Sequence, residues 1–567
     1  MLTSENKKWL ADFKTKYGRP PCILHIGNIA NNAYNNAKLL NEAGLDCDVI
    51  CYDYYHIMGC PEWEDADFEG EIADQFKPDW TKVNLNGFER PPWFAQGKLV
   101  NCINYLIARK LCKSKTEVNR LWCGLKIDNK AELCAAKLSI SFLNFLGKQA
   151  DRLHRLNYAS RLRTSLLEPL LLRTNKYNHK IALAGDLISI SIFFLLLPLF
   201  IIFRYSAKKF INSNDFDIID YNFEKNVNYI CNIADCIFKD SDYKLSAASI
   251  NEFKYIITSW HNLFLNYDLI LAYSTDAILP LLADKRPYCA FEHGTLRSIP
   301  FEESSEGRMC AASYNQADHI FVTNFDCLPN AERLAPGRFT LLNHPYDEDQ
   351  PEQVASDWMV LRETLMQDLQ ADLLLFHPTR HDWVEGTGYA DKGNDLLLNT
   401  FIKLILQKGF RLGMVCCEWG NNVEQSKMLF KKYKVANHVK WVKPLGIVGY
   451  TRMCKASHIV ADQFKLGAFG GITFKALAAG APVMIFIDID KILQQYPEVP
   501  PVINCSTEQD ILDELCYWYN NIDRLADRGA LGRAWMKKYH NKSHTINSQI
   551  NVFKKLINIQ GSNKNAE

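Results

Sequence analysis

The chain has 567 residues, 48% of them hydrophobic and 23% charged, which excludes a disordered or fibrous chain and calls for more than one ordinary core. Its 18 cysteines form no C-x-x-C pair and no paired metal spacing, and several (Cys51, Cys289, Cys416, Cys417) lie in apolar runs, so buried reduced thiols are expected instead of a disulfide framework. A net charge of +1 conceals an asymmetry: between Gly97 and Phe210 stand 20 Lys and Arg against 6 Asp and Glu, and the remainder of the chain is acidic.

The opening residues, MLTSENKKWLADFKTKYGRPP, hold no apolar core after their basic residues, so no secretory signal is expected, and the scattered reduced thiols are expected to be those of a cytoplasmic protein. PCILHIGNI then reads as a buried parallel strand ending at Gly27-Asn28. The amphipathic stretch NNAYNNAKLLNEAG reads as a helix stopped at Gly44, and CDVICYDYY as a second strand. Strand, helix and strand within about 35 residues predict a βαβ unit of a parallel sheet.

From about 97 to 210 the pattern turns to helical segments rich in Lys, Arg and Leu, an insertion in the first domain. Within it Leu187 to Phe203 is an uncharged apolar stretch of about 17 residues, at the short limit for a bilayer span. A single crossing would put strands of one sheet on opposite sides of the membrane. The segment is therefore expected to dip in and return, or to lie in the interface, with cations of 152–209 on an anionic membrane surface. That makes the protein peripheral or monotopic at the inner membrane. Leu and Phe runs, without exposed aromatics among glycines, argue against a nucleic-acid surface.

The α/β rhythm returns with YDLILAYS, RPYCAFEHG and ADHIFVTN as strands, and RFTLLNHPYDED leaves the sheet through His344-Pro345 into a linker. A second series follows: DLLLFHPTRHDW, FRLGMVCCEWG, VKWVKPLG, SHIVADQF and PVMIFID as strands, with LLLNTFIKLILQKG and TFKALAAGAP as helices. The expected architecture is two Rossmann-like domains facing across a cleft, 1–345 and 346–525, with a C-terminal helix over 526–567 that packs back on the first domain.

The sharpest motif is Ala468-Phe469-Gly470-Gly471-Ile472-Thr473-Phe474-Lys475, a glycine loop entering a helix. Free amides and the positive helix end make such a loop a seat for a diphosphate. Arg380 in FHPTR and Lys392-Gly393 in ADKGND end the first strand of the second domain and the following loop, where a guanidinium fork and a mobile ammonium suit phosphate oxygens. His293-Gly294 stands at the carboxyl edge of a strand, where doubly wound sheets bind ligands.

These motifs resemble the donor site of the group-1 (family 4) retaining glycosyltransferases, which have the GT-B fold. The likeness covers both halves of the chain apart from the insertion, and extends to Asn343-His344-Pro345 at the domain crossing and to the C-terminal RGALGRAWMKKYHNKSH. It implies a nucleotide-sugar co-substrate (UDP- or GDP-sugar), no other cofactor, no metal, and a glycan or lipid-linked glycan as acceptor. His293, Arg380 and Lys392 take the catalytic places. Gly27, Asn28, Asp462, Gly470, Gly471, Ile472, Thr473 and Lys475 take the donor-binding ones.

One departure stands out. The family's two glutamates bracketing the glycine loop are replaced by Gly467 and Lys475, and a lysine only donates hydrogen bonds. Asp462 is the nearest carboxylate that offers a substitute. Asp488-Ile489-Asp490 reads as a solvated turn and not as a metal-binding pair. Two further readings stand beside glycosyl transfer, a nucleotide-sugar epimerase and a non-catalytic sugar-nucleotide binder or scaffold.

Overall fold

A computed structural model describes residues 2–125, 216–354, 357–384 and 391–563. Most of the basic insertion, including Leu187 to Phe203 and the cations of 152–209, lies outside the described residues.

The N-terminal sheet has the strand order β3-β2-β1-β4-β5-β6-β7. Its strands are β1 (Cys22–Ile26), β2 (Asp46–Tyr52), β3 (Phe94–Gly97), β4 (Leu269–Tyr273), β5 (Tyr288–Phe291), β6 (His319–Val322) and β7 (Phe339–Leu341). The C-terminal sheet has the order β10-β9-β8-β11-β12-β13. It comprises β8 (Leu373–His377), β9 (Leu412–Cys417), β10 (Val439–Val442), β11 (Ile459–Ala461), β12 (Val483–Ile485) and β13 (Ile503–Asn504).

Every pairing in both sheets is parallel. That explains the sequences of β1 (CILHI) and β8 (LLLFH), in which every residue is buried: helices cover both faces, and alternation has no solvent side to mark. Short β3 and β13 have no apolar run of their own and were not legible as strands. Strand order reverses between β1 and β4 in one sheet and between β8 and β11 in the other. The exits of those strands therefore open into the two crevices where α/β sheets bind ligands.

The C-terminal elements divide differently from the expected single returning helix. Helix Leu525–Tyr539 still packs on the C-terminal sheet, with Trp535 and Met536 in its core. Only Lys542–Asn563 lies on the N-terminal core, through Ile546, Ile550, Phe553 and Ile557. Gln549 donates to Asn36 at 2.9 Å, Asn36 to the Tyr273 hydroxyl at 2.9 Å, and that hydroxyl lies 3.0 Å from His25 Nδ1 in β1. The two chain crossings between the domains are tied together. Asn343 donates to the Tyr539 carbonyl at 2.7 Å, and Lys542 pairs with Asp347 and Asp349 at 2.8 and 2.9 Å. Two doubly wound sheets, a linker and a returning helix make up a GT-B fold.

Candidate functional site

The crevice of the C-terminal domain is built from the exits of β8 and β11. After β8, the loop carrying Arg380 is braced from two directions. Asn394 spans it, donating to His377 Nε2 at 2.8 Å and to the Arg380 carbonyl at 3.2 Å. The β9 exit clamps it: His381 N donates to the Trp419 carbonyl, Asn422 N donates to the His381 carbonyl, both at 2.7 Å, and the Asn422 side chain accepts from Trp383 N at 2.9 Å. Gly420 has to be glycine here, since a Cβ would stand 2.5 Å from His381 N and its φ is +103°. A rigid loop thus presents the Arg380 guanidinium, half exposed and 3.3 Å from Asp382.

Lys392 is pinned by its backbone, donating to the Asp382 carbonyl and accepting from Phe464 N, both at 2.8 Å. Its ammonium has no ion pair among the described residues. Burial, and then the nearby Arg380 charge, hold its pKa below the ordinary lysine value, while Asp462 acts in the opposite sense. Two cations and a carboxylate therefore share one crevice.

Asp462 is buried and spans the two loops. One carboxylate oxygen accepts from Thr379 at 2.7 Å and the other from Thr473, on the first turn of helix Gly471–Ala478. A Cβ on Gly470 would stand 3.0 Å from that carboxylate. Asp462 thus holds the glycine loop against the β8 exit, and burial raises its pKa. Gly471 is exposed at the helix start with open space around it, and the Ile472 carbonyl accepts from the Tyr450 hydroxyl at 2.9 Å. The structure brings Arg380, Lys392, Asp462, Gly470 and Thr473 to one edge. Lys475, a turn further on, points elsewhere: its ammonium meets Glu64 of the N-terminal domain at 2.9 Å.

The facing crevice opens at β1, β4 and β5. Gly27 has φ +86°, and a Cβ there would meet the Asp276 carboxylate at 2.6 Å. Asn28 is buried with its amide fully engaged, donating to Asn31 and to the Gly59 carbonyl at 2.9 Å and accepting from Tyr34 N at 3.0 Å. Its side chain braces the loop, and only the backbone at Gly27-Asn28 is left for a ligand to approach.

His293 follows Glu292, a fully buried carboxylate that accepts from Gly294 N, Thr323 N and Asn324 N and so ties the β5 exit to the β6 exit. Burial lowers the pKa of His293. Its Nδ1 meets Asn32 Nδ2 at 3.1 Å, and Asn32 Oδ1 meets His344 Nδ1 at 3.0 Å. His344, in the linker, is pushed down to about 3, chiefly by burial and further by neighbouring His293 and Lys475.

Sequence reasoning missed Asn32, Asp276, Glu292 and Asn394. Each lies within a few residues of a motif that was read, beside a strand exit or at a helix start, and bonds to residues of other elements. Asp276 is half-buried, takes a hydrogen bond from the Tyr52 hydroxyl at 2.6 Å, and is raised by burial to about 6. Asp488 caps helix Ile489–Gln495 through Lys491 N, so the stretch read as a solvated turn is a helix start, with Ile489 and Asp490 exposed. Among the described residues no group of three or more His, Cys, Asp or Glu could hold a metal ion, and no helix is long and apolar enough to cross a membrane.

The fold and its facing crevices define a two-domain α/β protein of the GT-B class, with an anion-compatible edge on the C-terminal domain. No family model and no curated protein matches the chain. Among solved structures, the chain is similar to HepE from Anabaena in complex with UDP, at 15% identity and TM-score 0.41 over 57% of this chain and 94% of that one. It is also similar to sucrose-phosphate synthase from Thermosynechococcus elongatus, at 13% identity and TM-score 0.40 over 54% and 79% of the two chains. S. aureus MnaA with UDP follows at 16% identity and TM-score 0.33 over 53% and 80%.

Proposed function

We propose that the protein is a glycosyltransferase that moves a sugar from a UDP- or GDP-sugar to a glycan or lipid-linked glycan acceptor in surface-polysaccharide synthesis, with retention and without a metal. The observation that carries this reading is the shared edge of Arg380, Lys392 and the Gly470-Gly471 loop, gathered around the buried Asp462. The bond from the anomeric carbon to the diphosphate oxygen breaks, and its electron pair leaves with the diphosphate. Arg380, Lys392 and the loop amides stabilise that developing charge. The acceptor hydroxyl attacks on the same face, and its proton passes to a departing phosphate oxygen.

Incubation with UDP-, GDP- and CMP-sugars tests the reading, with release of nucleoside diphosphate coupled to a new glycoside as the expected result. Anomeric coupling constants of the first-formed product decide retention. Binding without turnover would instead mark a scaffold.

A second reading is a nucleotide-sugar epimerase, which calls for a carboxylate in the cleft. Asp276, with one oxygen held by Tyr52 and its pKa raised to about 6, is the observation that favours it. An epimerised sugar nucleotide formed without acceptor would establish it.

Attachment to an anionic cytoplasmic membrane face belongs to the same proposal and rests on the sequence of 152–209 alone. Cosedimentation with vesicles containing phosphatidylglycerol, lost on deletion of Leu195 to Leu199, is the expected result. Equal sedimentation of both forms refutes it.

A further inference from the structure

Asn32 opens helix Asn32–Glu42 and is 5% exposed. Its amide nitrogen donates to the Ile29 carbonyl at 3.0 Å, and because a carbonyl only accepts, the orientation of the amide is fixed. The same nitrogen lies 3.1 Å from His293 Nδ1, which must then be a bare acceptor with the ring proton on Nε2. Asn32 Oδ1 lies 3.0 Å from His344 Nδ1, which must carry its proton and leave Nε2 bare. Neither Nε2 has a partner among the described residues. Neither is sealed from water, in contrast to Nε2 of His25 and of His381.

We infer that Asn32 locks His293 and His344 in opposite tautomers, and that the resulting N–H donor and bare nitrogen, on rings 5.6 Å apart, together read the hydroxyl groups of a bound sugar. A phosphate offers acceptors only and would be met by donors only. A pair with one donor and one acceptor instead matches neighbouring hydroxyls, each able to give and to take a hydrogen bond. Asn32 is thus a positioning residue, and His344 a specificity-determining one contributed by the linker.

Both rings have to stay neutral for the lock to hold. Burial keeps His344 down at about 3 and lowers His293, against the opposing charge of Glu292. The other charges acting on the pair are Arg297 from the β5 exit and Lys475 from the C-terminal domain, itself paired with Glu64, while His540 senses His344. The cations favour neutrality.

The inference rests on the nucleotide-sugar reading of the cleft, and its test separates the two. Nitrogen-15 spectra of the histidine-labelled full chain at pH 7, assigned with His293→Gln and His344→Gln, are expected to show Nε2–H for His293 and Nδ1–H for His344. Like tautomers at the two sites overturn the lock. Asn32→Asp replaces the donor by a second acceptor and is expected to move the His293 proton to Nδ1. It should also cut the preference for UDP-glucose over UDP, or for GDP-mannose over GDP, by about tenfold, the loss of one or two hydrogen bonds. His344→Phe keeps a flat ring without nitrogen and should do the same while leaving UDP and GDP affinity unchanged. An unaltered preference in either folded variant overturns the recognition role. Should no nucleotide bind, the reading of the cleft fails and the sugar-reading role with it, and the spectra still decide the lock.

Discussion

The ammonium of Lys475, on the helix that follows the glycine loop, lies 2.9 Å from the carboxylate of Glu64, which belongs to the connection between β2 and β3 of the other domain. The contact is one of a series. Asp67 pairs with Arg452 and Glu71 lies 3.5 Å from Lys443, so an acidic strap of the N-terminal domain runs along a basic rim of the C-terminal one. Trp63 and Phe68 pack with Ile447 beneath it. Lys475 thus joins the two domains.

Lys475→Met should destabilise the protein, since Glu64 is only 5% exposed and would be left as an uncompensated carboxylate. A loss of about 2 kcal/mol is expected, reduced in the double variant with Glu64→Gln because both charges then disappear. Urea unfolding of the two variants measures it. Equal midpoints for Lys475→Met and the parent would show that the pair contributes nothing.

Arg380→Ala and Lys392→Ala should each weaken binding of UDP or GDP by roughly tenfold to a hundredfold, the loss of one charge-assisted hydrogen bond. Neither side chain is part of a core, so melting temperatures without ligand should stay near the parent's. Isothermal titration gives the affinities, and unchanged values in both variants would remove the two cations from the proposed diphosphate site.

The strands that position these cations were legible because parallel β1 and β8 are buried on both faces and read as continuous apolar runs. Gly27, His293 and Arg380 stood out because each falls where such a run stops, and Gly470 because it sits in a glycine loop that enters a helix. Asn32 was not. Its meaning comes from two histidines 261 and 312 positions away, and nothing local sets it apart from the other asparagines of NNAYNN. Lys475 was noticed as a departure, yet its partner Glu64 lies 411 residues off in the helix Pro61–Asp65, too short to show a periodicity.

Acidification from pH 7 to 5 should lower stability. Burial is the first cause holding His25, His344 and His540 at about 3 and His377 at about 4. Their folded values lie below the unfolded value of about 6.5, so their contribution is complete above that pH and is lost as pH falls toward the folded values. Asp276 has the opposite sign: raised to about 6, its contribution is complete below the unfolded value near 4 and is lost as pH rises through 6. Four histidines outweigh one aspartate, and unfolding at pH 5 should take up a net of about three protons from these groups. A melting temperature independent of pH between 5 and 7 would contradict the neutral buried histidines.

Gly27→Ala tests the close approach at the N-terminal crevice. The backbone there has φ +86°, which costs a side chain of the L configuration about 1 kcal/mol or more. The new Cβ would also stand 2.6 Å from the Asp276 carboxylate and push it off the Tyr52 hydroxyl. The two effects separate in a double-mutant cycle with Asp276→Ala, which empties the space above Gly27. In the parent background Gly27→Ala should cost about 2–3 kcal/mol, and beside Asp276→Ala only the backbone part should remain. An identical cost in both backgrounds would mean that the carboxylate does not overhang the glycine, and Asp276 would then have no place at the mouth of the crevice.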